Sequence, residues 1–245
     1  MTNSNKSFSI LNLHRTSYQS TSSPPSKLDS TLRLWDECSR SSLCFSPSGG
    51  HLAVTGARNT VQVVSRGQIS GGHQDTDTLV SGGQRLVGHT GCVNSVNWSR
   101  TGDWLVTGGG DHVVKVWDWK SRRVILNVNT RKGGHLEENF GVVRKVSKET
   151  PVFSEPVNKS QFFYLDSLLM SVSSNKLVIH NVKLPSPGDT GGEYKLVKTI
   201  TLPDCKTVTT MSCINQFYSF ISLLACSDRS VRVYDVNQAK VISLV

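Results

Sequence analysis

The chain has 245 residues, 37% apolar and 18% charged, with a net charge of +9 and a pI near 9.4. At about 100–200 residues per domain it holds one domain with tails, and its charge density is too low for wholesale disorder. No apolar run approaches the roughly 18 residues of a spanning helix, which excludes a membrane protein of that kind. The weakly apolar patch from Phe8 to Leu13 is broken by Ser9 and Asn12 and is too short for a secretory signal.

Eleven of the first 27 residues are Ser or Thr, and no acid precedes Asp29. So polar a segment cannot bury enough surface to offset its ordering entropy, so residues 1–40 are expected to form a disordered tail. A Ser-rich, acid-poor start also fits a mitochondrial import segment. With only Lys6, Arg15 and Lys27 as charges and no amphipathic helix, this is the minor reading.

From about Ser41 the apolar period is two. Val61–Val64, Val113–Trp117, Lys176–His180 and Val231–Tyr234 are short, β-branched and bounded by turn residues, the pattern of strands. Helix signals are nearly absent, so the fold class is all-β: a sandwich, barrel or propeller.

Repeats decide among these. The segment 88–118 opens on Gly88-His89, carries Asp111 six residues before Trp117, and closes on Trp117-Asp118. It resembles the WD-repeat family, whose repeats of about 40–45 residues each form one four-stranded propeller blade. Weaker copies surround it. The segment 208–244 holds Asp228, Tyr234 and Asp235, with Tyr in place of Trp and a turn read as shortened. The segment 41–86 has Asn59 read at the turn-acid place and Ser65 at the Trp place. The segment 157–202 keeps strands but almost no signature, with His180 at the Trp place. The resemblance therefore implies a partial or small propeller of about four blades, at 41–86, 88–128, 157–202 and 208–244. Insertions lie at 67–83, 128–156 and 185–194.

Asp29 to Asp36 repeats the six-residue Asp-to-Trp spacing, yet Ser65 follows Trp35 too soon for a whole repeat. It is read as an orphan third strand within the tail. Pro156–Asp166 and Met211–Ile221 lie outside the generic signature and carry a finer resemblance within the family, to a propeller that continues with further blades.

The resemblance implies a hydrogen-bonded chain from Asp111 to His89 to Thr107 to the indole of Trp117. Asp, His and Thr are also the residue types of nucleophilic hydrolysis, but catalysis would require an exposed nucleophile and an oxyanion hole. Gly108-Gly109-Gly110 lacks the following Gly-Lys-Ser/Thr of a phosphate loop. Asp189-Thr190-Gly191 occurs once and lies in a loop, whereas aspartic proteases need two carboxylates. The seven histidines, at 14, 51, 73, 89, 112, 135 and 180, form no metal-ligand spacing. No catalytic residue, cofactor or metal is assigned.

Nine basic residues lie between Lys115 and Lys148 against three acids. Arg122, Arg123, Arg131, Lys132, Arg144 and Lys145 form a candidate partner-binding cluster. It suits an acidic protein or nucleic acid, though the segment is poor in aromatics for base stacking. The expected function is a non-catalytic scaffold for protein partners, with nucleic-acid or acidic-partner binding as the alternative. Without an export signal, a cytoplasmic or nuclear location is expected. The six cysteines form no C-x-x-C pair. Reduced thiols follow from that location, with Cys44, Cys92, Cys213 and Cys226 as small strand fillers.

Overall fold

The computed structural model describes residues 42–56, 59–66, 83–129, 152–186, 191–217 and 220–244, with the backbone of 5–10 and 30–35. Every element with described bounds is a strand. Strands β1 (Asn5–Ile10) and β2 (Ser30–Trp35) pair antiparallel. The orphan strand thus has a partner inside the polar tail: the alternation Ser7-Phe8-Ser9-Ile10 is strand-like despite the composition around it.

Four antiparallel four-stranded sheets follow. The first holds β3 (Leu43–Phe45), β4 (His51–Gly56), β5 (Thr60–Ser65) and β6 (Gln84–Val87). The second holds β7 (Val93–Trp98), β8 (Trp104–Gly109), β9 (Val114–Asp118) and β10 (Arg123–Val128). The third holds β11 (Val157–Phe163), β12 (Leu168–Ser173), β13 (Lys176–Lys183) and β14 (Glu193–Thr201). The fourth holds β15 (Val208–Cys213), β16 (Ile221–Cys226), β17 (Val231–Asp235) and β18 (Lys240–Leu244). Each sheet is a meander in chain order, as short apolar strands joined by tight turns require.

The sheets pack face to face in sequence, giving three cores between four blades. Between blades one and two lie Ala53, Val61 and Val63 against Val96, Trp98 and Leu105. Between two and three, Val106, Val114 and Val116 meet Val157, Phe162 and Leu169. Between three and four, Met170, Val172, Leu177 and Ile179 meet Val208, Met211 and Leu224. Strand alternation explains both sides: every second residue of the second and third strands faces the next blade, and the others face the preceding one.

Strand register fixes equivalent positions. Leu105 pairs with Trp117, Leu52 with Val64, Leu169 with His180 and Ser222 with Tyr234. His180 and Tyr234 therefore do occupy the Trp117 place. Blade one departs from the sequence reading by one residue: Val64 takes the Trp place and Ser65 that of Asp118. Asn59 sits where His112 does, and both have left-handed backbones (φ 60° and 65°). Asn tolerates that conformation well, which explains its presence there; the turn-acid position itself falls outside the described residues. The blade-four turn is not shortened, because Ala225 pairs with Val231 just as Gly108 pairs with Val114. The proposed insertions also end inside the fold: Phe153 and Tyr194 are both buried in the core between blades two and three.

Candidate functional site

The second blade brings four of the sequence-selected residues together. Thr107 is supplied by β8 and Trp117 by β9; His89 precedes β7, and Asp111 sits in the β8–β9 turn. The Trp117 indole Nε1–H donates to Thr107 Oγ1 at 2.9 Å. Thr107 Oγ1 lies 2.7 Å from His89 Nε2, and His89 Nδ1 lies 2.8 and 2.9 Å from the two carboxylate oxygens of Asp111. With a proton on Nδ1 facing Asp111 and Nε2 accepting from Thr107, every donor in the chain points one way, from indole to hydroxyl to imidazole to carboxylate. Thr90 N–H donates to the same carboxylate at 3.0 Å. Burial alone would raise the Asp111 pKa, but the hydrogen bond from His89, the Thr90 amide and the Lys115 charge together hold it below the usual value.

Gly109 makes room for this chain, and Gly108 for the next blade. A Cβ on Gly109 would run into the Asp111 carboxylate and come within 2.7 Å of His89 Nδ1. A Cβ on Gly108 would lie 2.6 Å from Val157 of the next blade. Gly108 and Gly109 therefore serve close packing. Thr107 is fully buried and its oxygen already has three partners, the Lys115 carbonyl among them, so it offers no exposed nucleophile.

The other blades hold the same corner differently. In blade four, Asp228 corresponds to Asp111, and Arg232, from β17, corresponds to Lys115. Arg232 Nη2 donates to Asp228 Oδ2 at 2.8 Å and to the Asp204 carbonyl at 2.7 Å. Counting back from the first strand, Asp204 holds the place of His89, so the guanidinium links the two loops that the imidazole links in blade two. Hydrogen bonds from Ser230 hold the Asp228 pKa low, with the Arg232 charge contributing. Tyr234 is buried with no hydrogen-bond partner for its hydroxyl. In blade three, Phe153 stands in the His89 place. It packs near His180, whose two ring nitrogens are buried and unpartnered. Burial pushes the His180 pKa down to about 4.

The remaining signature acids close turns. Asp118 accepts from the amides of Lys120 and Ser121, and Asp235 from that of Gln238. Gly88 is exposed at the start of the repeat. Of the basic cluster, Arg122 and Arg123 are exposed at the β9–β10 turn, while Lys115 is buried in the blade. Arg131, Lys132, Arg144 and Lys145 lie outside the described residues, as does Asp189.

Sequence reasoning missed the ties between blades. Asn94 Nδ2 donates to the Val157 carbonyl and Asn158 Nδ2 to the Val208 carbonyl, at 2.9 and 2.7 Å. Each anchors the next blade's first strand, and the signal was available as the repeated dipeptides Val93-Asn94 and Val157-Asn158. On the opposite rim, Asp166 accepts from the Arg100 amide and from Asn215 Nδ2. It ends three consecutive left-handed residues, Tyr164, Leu165 and Asp166. A cavity of about 410 Å³ lies where blades two, three and four meet, with Asn94, Glu155, Asn158 and Thr207 in its wall. Cys92, beside it, is disulfide-bonded, contrary to the expected free thiol. Cys44, Cys205, Cys213 and Cys226 are free.

Comparison with known proteins agrees with this geometry. Residues 81–118 match the family described as WD domain, G-beta repeat. The chain is 32% identical over 68 residues to Protein ALTERED SEED GERMINATION 2 of Arabidopsis thaliana. It is 38% identical over 61 residues to WD repeat protein iqw1 of Schizosaccharomyces pombe, and 39% identical over 57 residues to WD and tetratricopeptide repeats protein 1 of Homo sapiens. These matches cover 28%, 23% and 23% of this chain and only 9%, 7% and 8% of the relatives. The crystal structure of the WD40 beta propeller domain of Doa1 superposes with a TM-score of 0.54 at 13% identity, over 83% of this chain and 53% of that one. The architecture is thus four four-stranded blades resembling a WD40 propeller, with the WD-repeat signature concentrated in the second blade.

Proposed function

We propose that this chain is a non-catalytic protein-interaction scaffold of the WD-repeat type, working in the cytoplasm or nucleus, and that its four blades are an arc of a larger propeller. The observation that carries this is the state of the Asp111–His89–Thr107–Trp117 chain. The one hydroxyl–imidazole–carboxylate set in the described fold is buried and spent on pinning a blade. What remains available is a rigid frame with rims, loops and two end faces, the surfaces through which such frames bind. The stretches 156–166 and 211–221 support a finer reading: they resemble the C-terminal propeller of WD repeat-containing protein 27.

The test is affinity capture with the complete chain, washed at low and at moderate salt. A scaffold retains specific protein partners through the moderate-salt wash. If instead the only ligand is nucleic acid, its binding falls steeply with salt, and Arg122→Ser with Arg123→Ser weakens it, then the reading is wrong.

A further inference from the structure

The first strands of blades two and three each carry a β-bulge at an asparagine. In β7 the register steps from Val93–Gly109 to Ser95–Gly108, so Asn94 has no partner across the strands. In β11 it steps from Val157–Ser173 to Lys159–Val172, so Asn158 has none. A bulge leaves its extra residue unpaired and re-aims the side chain. Here both amides turn toward the next blade, where Nδ2 donates to the Val157 and Val208 carbonyls. Flipping either amide would set its Oδ1 against a carbonyl oxygen, so each Oδ1 is held in place as an acceptor.

Both asparagines stand in the wall of the cavity of about 410 Å³ where blades two, three and four meet. Asn158 is only 9% exposed. Its Oδ1 and that of Asn94 accept no hydrogen bond among the described residues, yet neither is sealed from solvent. The rest of the polar wall is of the same kind. Glu155 lies just before β11, its carbonyl held by Ser173 Oγ at 2.8 Å. Its carboxylate is exposed and makes no ion pair among the described residues. Ser174, in the β12–β13 turn, and Thr207, just before β15, add hydroxyls that make no hydrogen bond there. No lysine or arginine lines the cavity among the described residues. All five groups come from the two internal junctions, two–three and three–four.

We propose that this cavity takes the guanidinium of an arginine side chain presented by a partner protein. The proposal rests on the scaffold reading and names what the scaffold grips. An unpaired carboxylate in a concave site, with no cation in the wall, attracts a positive group. Arginine offers five N–H donors in one plane and no acceptor. The wall answers with one carboxylate, two fixed amide oxygens and two hydroxyls. A lysine ammonium gathers its three donors at a single point and reaches fewer of these groups. Nothing in the wall would neutralise a phosphate or an α-carboxylate. That disfavours nucleic acid and a free amino acid, and selects an arginine within a peptide chain. The volume lies in the roughly 300–1,000 Å³ range of ligand sites, room enough for one long side chain.

The test is an NMR titration of the isotope-labelled full chain with a blocked Gly-Ala-Arg-Ala-Gly peptide, read from the side-chain amide signals of Asn94 and Asn158. Saturable shifts of both are expected, with a Kd of about 1 mM. The same peptide with citrulline keeps the shape and loses the charge, and should bind on the order of 10-fold more weakly. Glu155→Gln should weaken the arginine peptide on the order of 10-fold and leave Tm unchanged, because that carboxylate supports nothing in the described fold. Thr207→Val is the second variant and should also weaken binding. Absence of a saturable shift overturns the proposal. So does equal binding of the citrulline peptide or of a lysine peptide, or binding that Glu155→Gln leaves intact. Tighter binding of free L-arginine than of the blocked peptide overturns it too, by making the cavity a small-molecule site. A chain that binds no arginine peptide but retains protein partners through the moderate-salt wash loses this proposal and keeps the scaffold reading.

Discussion

Replacing Asp111 with Ala tests the pinned blade most directly. The carboxylate accepts from His89 Nδ1 and from the Thr90 amide. The His89 side chain is 1% exposed and that of Asp111 7%, so water cannot take over without opening the turn. Leaving a buried donor unsatisfied costs about 1–3 kcal/mol, with hydrogen bonds to charged groups at the upper end. Lys115, buried nearby, also loses its counter-charge. The combined loss is on the order of 2–4 kcal/mol, or a fall in Tm of roughly 5–15 °C for a chain of this size. Asp111→Asn keeps an acceptor for the imidazole and should lose about half as much. The assay is urea unfolding followed by tryptophan fluorescence, with a double-mutant cycle against Thr107→Val. Because both residues act on the same imidazole, the cycle should show a coupling of about 1 kcal/mol. A loss for Asp111→Ala within about 0.5 kcal/mol, the range of an ordinary surface substitution, would refute the relay as a source of stability.

Acid should weaken the third blade first. The folded-state pKa of His180 is lowered from 6.5 to about 4, so its neutral form stabilises the fold fully above pH 6.5, and that contribution is lost as the pH falls from 6.5 through 4. The total is on the order of 3 kcal/mol; His180→Phe should remove this slope in Tm-versus-pH scans. Asp111, also depressed, contributes stability that is lost only at lower pH, below its ordinary value of 3.8, so Asp111→Asn should flatten that lower window alone. Gly108→Ala drives a methyl group toward Val157 and should cost about 1–3 kcal/mol by overpacking two blades, read from the same urea curves. Burial raises Cys213 to about 12, and burial with the Cys205 side chain raises Cys226 to about 12. Neither should react with iodoacetamide at pH 8 in the folded protein, and both should react once it is unfolded, as mass spectrometry of the labelled peptides would show.

Blade two was legible because all its signature residues stand at family spacing, and that spacing reflects one geometry: a turn acid reaching back to an imidazole one loop earlier. Blade one was read a residue out of register because Asn59 resembles a turn acid in composition. Its real role, accepting a left-handed backbone, shows only in the fold. Phe153 escaped notice because it lies before its strand in a mixed-charge stretch, where a period of two has nothing to match. The role of Arg232 was hidden for a related reason. Alternation in Val231-Arg232-Val233-Tyr234 places it on the buried face, but nothing local tells which carboxylate it meets there. The inter-blade asparagines were legible in principle, as Val-Asn at the head of two first strands, but their purpose depends on which backbone lies opposite.

The three described versions of the corner separate what a blade requires from what it tolerates. Every version joins the loop before the first strand to the region of the second turn and third strand. Blade two does so with an imidazole from the loop, and blade four with a guanidinium from the third strand. Blade three has no ion pair there and packs Phe153 near His180 instead. The requirement is therefore closure of the corner, and the chemistry is free to vary. The versions do not cost the same, however. The relay of blade two satisfies each polar atom it buries, whereas blade four leaves the hydroxyls of Ser222 and Tyr234 without a partner, and blade three leaves both nitrogens of His180. A buried polar atom without a partner is more expensive than an apolar one of the same shape, so blade three depends on the apolar cores on its two faces. Its position between blades two and four supplies both. In blade four, where Leu223 and Val231 are exposed, the corner is closed by the polar bridge of Arg232 with Asp228 and the Asp204 carbonyl.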